Sequence, residues 1–428
     1  MFRVKGIVAY PTTSEDVSAL VTFSQIHGID LAVRGGGHSI RPTSSTEGGI
    51  CIDLSRMKEV VVHPTAKEVT VQGGALWSDV YDAIAPHNLA VVGGVITSVG
   101  VGGLSLMGGY GWLTGAHGLT LDNILSIEIV LASGEILRAS EIENADLFWA
   151  VRGAGACFGV VTSFTFRAHP QENLVWSGNL VLPGTALRTA IEVANKVIAK
   201  ENDTGRASLG MLWVSPPGAP APLILLMLYY NGPEDEAKEF FKPLLHLNPK
   251  INTTKMRPWV SVNVPEPVID ESKVWRRVSA GGSIIGPFKF EFFESLWEDY
   301  VGLLGKVDDA KTTTLTLVVH NPYATLGKGQ RYTAFPNRGR HSNFMIGPMW
   351  TDEENDGVCR EWCLQMREKV RRDRERRVLE DRSVDEITKS AVGESSHDDG
   401  ELCRARAREM LIDYRIWEKC KRDFWCEL

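Results

Sequence analysis

The chain has 428 residues, and several things are scarce in it or missing. No apolar run approaches the roughly 18 residues that a membrane-spanning helix needs. The first residues, Met1-Phe2-Arg3-Val4-Lys5-Gly6, have no apolar core of about 7–15 residues and do not read as a secretory leader, so a cytoplasmic location is the default expectation. Positive charge is not in excess: 46 Lys+Arg stand against 53 Asp+Glu, a formal net charge of −7. That balance argues against a general nucleic-acid binder, which needs a basic face. Cysteines number seven, and five of them lie beyond residue 358. An odd, clustered set is a poor disulfide framework and suggests a reducing compartment. Cys359-x-x-x-Cys363, with His397, Cys403, Cys420 and Cys426, lacks the spacing of a zinc finger or ribbon, so no metal is expected.

Glycine is what the chain has in quantity, 41 residues, much of it in two stretches. In the first, the β-prone run Leu31-Ala32-Val33-Arg34 enters Gly35-Gly36-Gly37, followed at once by His38 and Ser39. Glycine lets backbone approach a ligand closely, and successive amides form a nest for phosphate oxygens. A tight turn that happens to carry a histidine is the plainer alternative. A dinucleotide fold or a Walker loop would open a helix directly behind the glycines. Pro42-Thr43-Ser44-Ser45-Thr46 follow instead, and GxxxxGK[ST] is absent.

Arg34–Ser39, with Gly49-Ile50-Cys51-Ile52-Asp53-Leu54-Ser55, resembles the start of the FAD-binding domain of the berberine-bridge-enzyme-like oxidases. These belong to the vanillyl-alcohol-oxidase superfamily with its PCMH-type domain, and the resemblance runs from about Ile7 to Trp350. It implies an FAD cofactor, and it implies that His38 occupies the position bonded to the flavin 8α-methyl. The second stretch runs from Gly93 to Trp112 through Ser98, Gly100, Gly103, Gly108 and Gly111. Against that family its glycines are expected to lie along the flavin, and Ile96 stands where many relatives have a second linking cysteine. A single covalent link through His38 is therefore expected. Val160 and Val161 match valines that contact the adenosine end in relatives, and Cys157 stands where asparagine is usual.

The pattern along the chain agrees with an α+β fold. Ile7–Tyr10, a helix capped by Thr13 or Ser14 and ended by Gly28, and Leu31–Arg34 read as β-α-β. Leu76, Trp77, Val80, Tyr81 and Ile84 mark an amphipathic helix. Ile124–Leu131 and Glu135–Ser140 read as a hairpin, and Gly159–Phe166 as a closing strand. The expected domains are 1–170, a two-part PCMH-type FAD-binding domain, and 171–358, an α+β substrate domain with an antiparallel sheet covered on one face. Strands are expected at 174–182, 208–214 and 223–229, and helices at 185–199, 234–246 and 291–305. Residues 359–428 hold 17 Lys+Arg and 17 Asp+Glu and no proline. They are expected to be an atypical charged tail replacing the family C-terminus, with Arg367–Arg382 a solvated helix or a disordered segment.

The reading is an FAD-dependent oxidoreductase acting on a small organic substrate, with molecular oxygen as electron acceptor and no nucleic-acid or membrane partner. No oligomeric state is implied. Tyr332 is the candidate base, against the plainer reading of a satisfied strand tyrosine. The other readings are a flavin-binding but catalytically impaired family member and a phosphate-binding module without flavin.

Overall fold

The structure is a computed structural model that describes residues 6–39, 45–202, 204–264, 274–329 and 331–380. His397, Cys403, Cys420 and Cys426 lie outside the described residues. Ile7–Ala9, the helix Ser14–His27, Leu31–Arg34 and Ile50–Asp53 form a small parallel unit with Ile50–Asp53 as its central strand. Its helix begins where expected: the Thr13 hydroxyl accepts from the Asp16 amide, and the Asp16 carboxylate accepts from the Thr13 amide. This reciprocal cap satisfies two orphan donors. Gly28, at φ 62°, ends the helix. Val17 and Val21 are buried against Ile50 and Ile52.

The second half of this domain is a five-stranded antiparallel sheet in the spatial order 60–63, 68–72, 159–167, 124–131 and 136–140. Alternation along these strands puts Val69, Val71, Ile127, Ile129, Phe164 and Phe166 in one core with Trp77, Val80 and Ile84 of the helix Trp77–Ile84. The opposite face is polar and meets the parallel unit. Ser14 Oγ donates to Thr162 Oγ1 at 2.9 Å, and Thr162 Oγ1 to Glu128 Oε1 at 2.8 Å. Along this seam, Val130 and Val160 join the core of Val17 and Ile52.

The second domain is an antiparallel sheet in the order 251–252, 175–183, 223–230, 207–214, 314–320, 341–347 and 280–285, with 255–257 also paired to 175–183. Its buried residues, among them Leu209, Leu226, Leu317 and Phe344, form one core with Leu187 and Ile191 of the helix Leu187–Ile198 and with Phe293 and Leu296 of the helix Phe290–Lys306. The expected helix at 234–246 is two pieces, 234–240 and 242–245. On the other face of the sheet, Ser208 Oγ donates to the Trp112 carbonyl at 3.3 Å, and the Tyr229 ring stacks on Trp112 at 5.5 Å. These contacts seat the sheet on the first domain.

The charged segment corrects one expectation. The boundary placed after residue 358 falls inside the helix Asp356–Glu380, which packs on the second domain. Cys359, Cys363, Met366, Val370, Asp373 and Arg377 are buried, at steps of four and three residues. That is one helix seam, and the charges around it hide it in the sequence. Asp373 and Arg377 enter the seam as a pair at 2.6 Å, and Arg377 also donates to the Pro287 carbonyl at 2.6 Å. At the helix start, the Arg276 guanidinium grips Asp356 with bonds of 2.5 and 2.7 Å. This contact holds the Asp356 carboxyl well below the usual carboxylate range, at about 2. Through residue 380 the segment is therefore part of the second domain.

Candidate functional site

The first glycine loop rests on an ion pair. Arg34 Nη1 meets Asp53 Oδ2 at 2.6 Å, and the Asp53 carboxylate, itself buried, also accepts from the Ser55 amide at 3.0 Å. Burial pushes the Asp53 carboxyl up, but the hydrogen bonds from Ser55 and Arg34 outweigh it, so the group lies below its ordinary value. Gly37 carries the positive φ, 76°, and a Cβ there would stand 3.1 Å from Arg34 Nε. Gly36 is required for a different reason. A Cβ on it would lie 2.3 Å from the Gly100 amide nitrogen, so the two glycine stretches touch backbone to backbone. Among the described residues, the amides of Gly35, Gly36 and Gly37 donate to no acceptor. Beside them the exposed His38 ring places Nε2 3.0 Å from Ser98 Oγ.

The segment carrying Ile96 and Ser98 is held by its backbone. The amides of Trp77 and Ser78, at the start of the helix Trp77–Ile84, donate to the carbonyls of Val99 and Thr97, at 3.0 and 2.9 Å. The Thr97 amide donates to Val264 at 2.9 Å, and Ile96 bridges to the same residue. Next to Val264, the buried Asn263 has a side-chain nitrogen, Nδ2, with no hydrogen-bond partner among the described residues. The chain then forms the short helix Val101–Leu106, in which a Cβ on Gly103 would meet nothing within 4 Å.

Gly108 and Gly111 behave differently from the expectation that they lie along the flavin. Both are buried, and the space beside each is filled by protein. A Cβ on Gly108 would strike the Phe335 ring at 2.8 Å, and one on Gly111 the Gly93 carbonyl oxygen at 1.9 Å. Val160 and Val161 are buried in different cores on the two faces of their strand. Cys157 is half-buried.

Tyr332 is not brought to the glycine loops. Its hydroxyl donates to Glu141 at 3.0 Å, at a separate cleft of about 620 Å³ on the polar face of the five-stranded sheet. Ser126, Arg138, Thr165, Arg167 and Lys328 line that cleft, and no residue of either glycine loop does. Its wall also holds the stacked rings of His117 and His169, 3.7 Å apart. Burial and then the neighbouring His117 push His169 down to about 3. Sequence reasoning missed two features of the molecule. One is the His38–Ser98 contact, which joins residues 60 positions apart. The other is the half-buried sheet face of Leu212, Leu225, Met227, Val318 and Asn343, which alternate with the helix-covered core positions.

Residues 6–140 match the family described as FAD binding domain. The N-terminal part of the chain is an FAD-binding domain. Over 249 residues the chain is 39% identical to the FAD-linked oxidoreductase pgmH of Aspergillus terreus, an alignment covering 58% of this chain and 50% of that protein. The chain thus spans about half the length of the curated relatives it matches. Among solved structures, 6-hydroxy-D-nicotine oxidase from Arthrobacter nicotinovorans superposes with a TM-score of 0.72 at 22% identity, covering 87% of this chain and 82% of that one. BBE-like 28 from Arabidopsis thaliana does so with a TM-score of 0.72 at 21% identity, covering 86% and 79%. These likenesses show a common fold. The chain is a homologue of FAD-linked oxidoreductases with the fold of the berberine-bridge-like oxidases. Its own residues suit that cofactor. Three open amides and the loop ion pair fit a diphosphate, and the unpartnered Asn263 nitrogen offers a donor to a polar ring.

Proposed function

We propose that the chain is an FAD-dependent oxidoreductase that oxidises a small organic substrate, passes the electrons to dioxygen, and holds its cofactor by one covalent bond through His38. When bound, FAD would supply the redox chemistry, accepting a hydride equivalent from a substrate C–H at flavin N5. The protein binds and orients. The amides of Gly35, Gly36 and Gly37 hold the diphosphate, with Arg34 fixed beneath them by Asp53. Ser39, Gly100 and Gly103 border the same site. Ile96 offers no sulfur for a second bond. The substrate lies between the cofactor and the half-buried sheet face, and Tyr332 is given no part in proton transfer. The observation that carries this reading is the row of three unpartnered glycine amides beside an exposed imidazole.

The test is the colour of the protein before and after denaturation. Acid-precipitated protein stays yellow, its flavin peptide contains His38 alone, and His38→Ala releases the flavin to the supernatant. Free FAD from the unaltered protein, or a flavin peptide bearing Cys51 or Cys157, would overturn the attachment. Protein without absorbance near about 450 nm would favour a phosphate-binding module instead. A second reading is a flavin-binding member without activity. Anaerobic bleaching of the flavin by any substrate of an alcohol, amine and sugar panel excludes it.

A further inference from the structure

We infer that Ser98 is the positioning residue for covalent flavin attachment: its hydroxyl engages His38 Nε2 and so presents the other ring nitrogen, Nδ1, for bond formation. The inference rests on the reading that His38 carries the flavin. His38 is exposed, at the end of a glycine loop, and an imidazole has two neutral tautomers that its hydrogen bonds select between. Ser98 lies between Thr97 and Val99, whose carbonyls accept from Ser78 and Trp77, and Thr97 is also tied to Val264. Two residues further on, Gly100 abuts Gly36. Ser98 is therefore a fixed post on one glycine stretch, and the 3.0 Å contact to Nε2 orients the histidine of the other.

The contact has a chemical consequence. With the Nε2 proton donated to Ser98 Oγ, the reactive lone pair is on Nδ1. As Nδ1 bonds to carbon the ring gains positive charge, and a hydrogen bond from Nε2–H to a fixed oxygen stabilises that charge more than it stabilises the neutral ring. Net, one imidazole N–H and one C–H of the 8α-methyl are replaced by a C–N bond. The two hydrogens and two electrons leave with dioxygen as hydrogen peroxide. Ser98 is neither consumed nor charged.

The experiment uses full-length apoprotein from riboflavin-starved cells, mixed with FAD. Two quantities are followed: the early non-covalent affinity, by quenching of FAD fluorescence, and the rate of attachment, by in-gel flavin fluorescence and mass after denaturation. Ser98→Ala is expected to slow attachment about tenfold or more while leaving the early affinity within about threefold. Ser98→Thr keeps the hydroxyl and should attach within about threefold of the unaltered rate. Ser98→Val, matched to it in shape, should be as slow as Ser98→Ala. Equal rates for Ser98→Thr and Ser98→Val overturn the inference, as does affinity falling in step with rate. Unaltered protein that never retains flavin after denaturation overturns the His38 reading itself, and this shows before any variant is made.

Discussion

Two sets of glycines in this protein look alike in sequence and are used differently. Gly35–Gly37 and Gly103 leave backbone open: three amides lack acceptors, and a Cβ on Gly103 would touch nothing. Gly108, Gly109 and Gly111 are buried, and Phe335, Thr120 with Leu104, and Gly93 fill the space beside them. In the first set the amides of Gly35–Gly37 meet no protein acceptor, although Gly36 also packs directly on Gly100. In the second the missing side chain lets two pieces of protein pack without a gap. A glycine count cannot separate these uses, because both need only the absence of a Cβ.

Substitutions break the comparison in order of size. Gly111→Ala puts a methyl group 1.9 Å from a backbone carbonyl that cannot rotate away. It should cost about 3 kcal/mol or more of unfolding free energy in denaturant titrations, whether or not flavin is present. A loss under about 1 kcal/mol would mean that this region yields more than its packing implies. Gly36→Val sits at the junction of the two stretches and prises Gly36 from Gly100. A stability loss of about 1–3 kcal/mol is expected, together with loss of flavin. Stoichiometric flavin in the folded variant would remove this loop from the site. Gly103→Ala should do the reverse of Gly111→Ala, raising stability of the apoprotein by about 0.5 kcal/mol because alanine favours the helix, while weakening flavin retention. Unchanged flavin release from Gly103→Ala would place Gly103 away from the cofactor.

Much of the first domain was legible along the chain. Thr13 and Gly28 bracket a helix because capping is local, and the alternation of Ile127 and Ile129 reports a half-buried strand because side chains reverse face at each residue. The short strand Val60–His63 went unread, and so did the helix Val101–Leu106. The first has no alternation, and the second begins among glycines that argue against any helix. The segment 356–380 is the instructive miss. Its charge density reads as solvated, yet a seam from Cys359 to Arg377 docks it on the sheet, because a helix needs only one apolar stripe and a buried ion pair can complete it.

The sequence by itself determined that three glycines and a histidine follow the strand Leu31–Arg34, that isoleucine stands at position 96, and the order of sheet and helix. These depend on residue type and on neighbours a few positions away. Only the tertiary structure decided that Ser98 holds His38, that Gly36 abuts Gly100, that Gly111 serves packing, and that Tyr332 belongs to another cleft. Each of these joins residues far apart in the chain, or depends on what fills the space beside a backbone atom. Distance in space is settled by how the sheets dock, and that docking is the summed outcome of whole cores rather than of any motif.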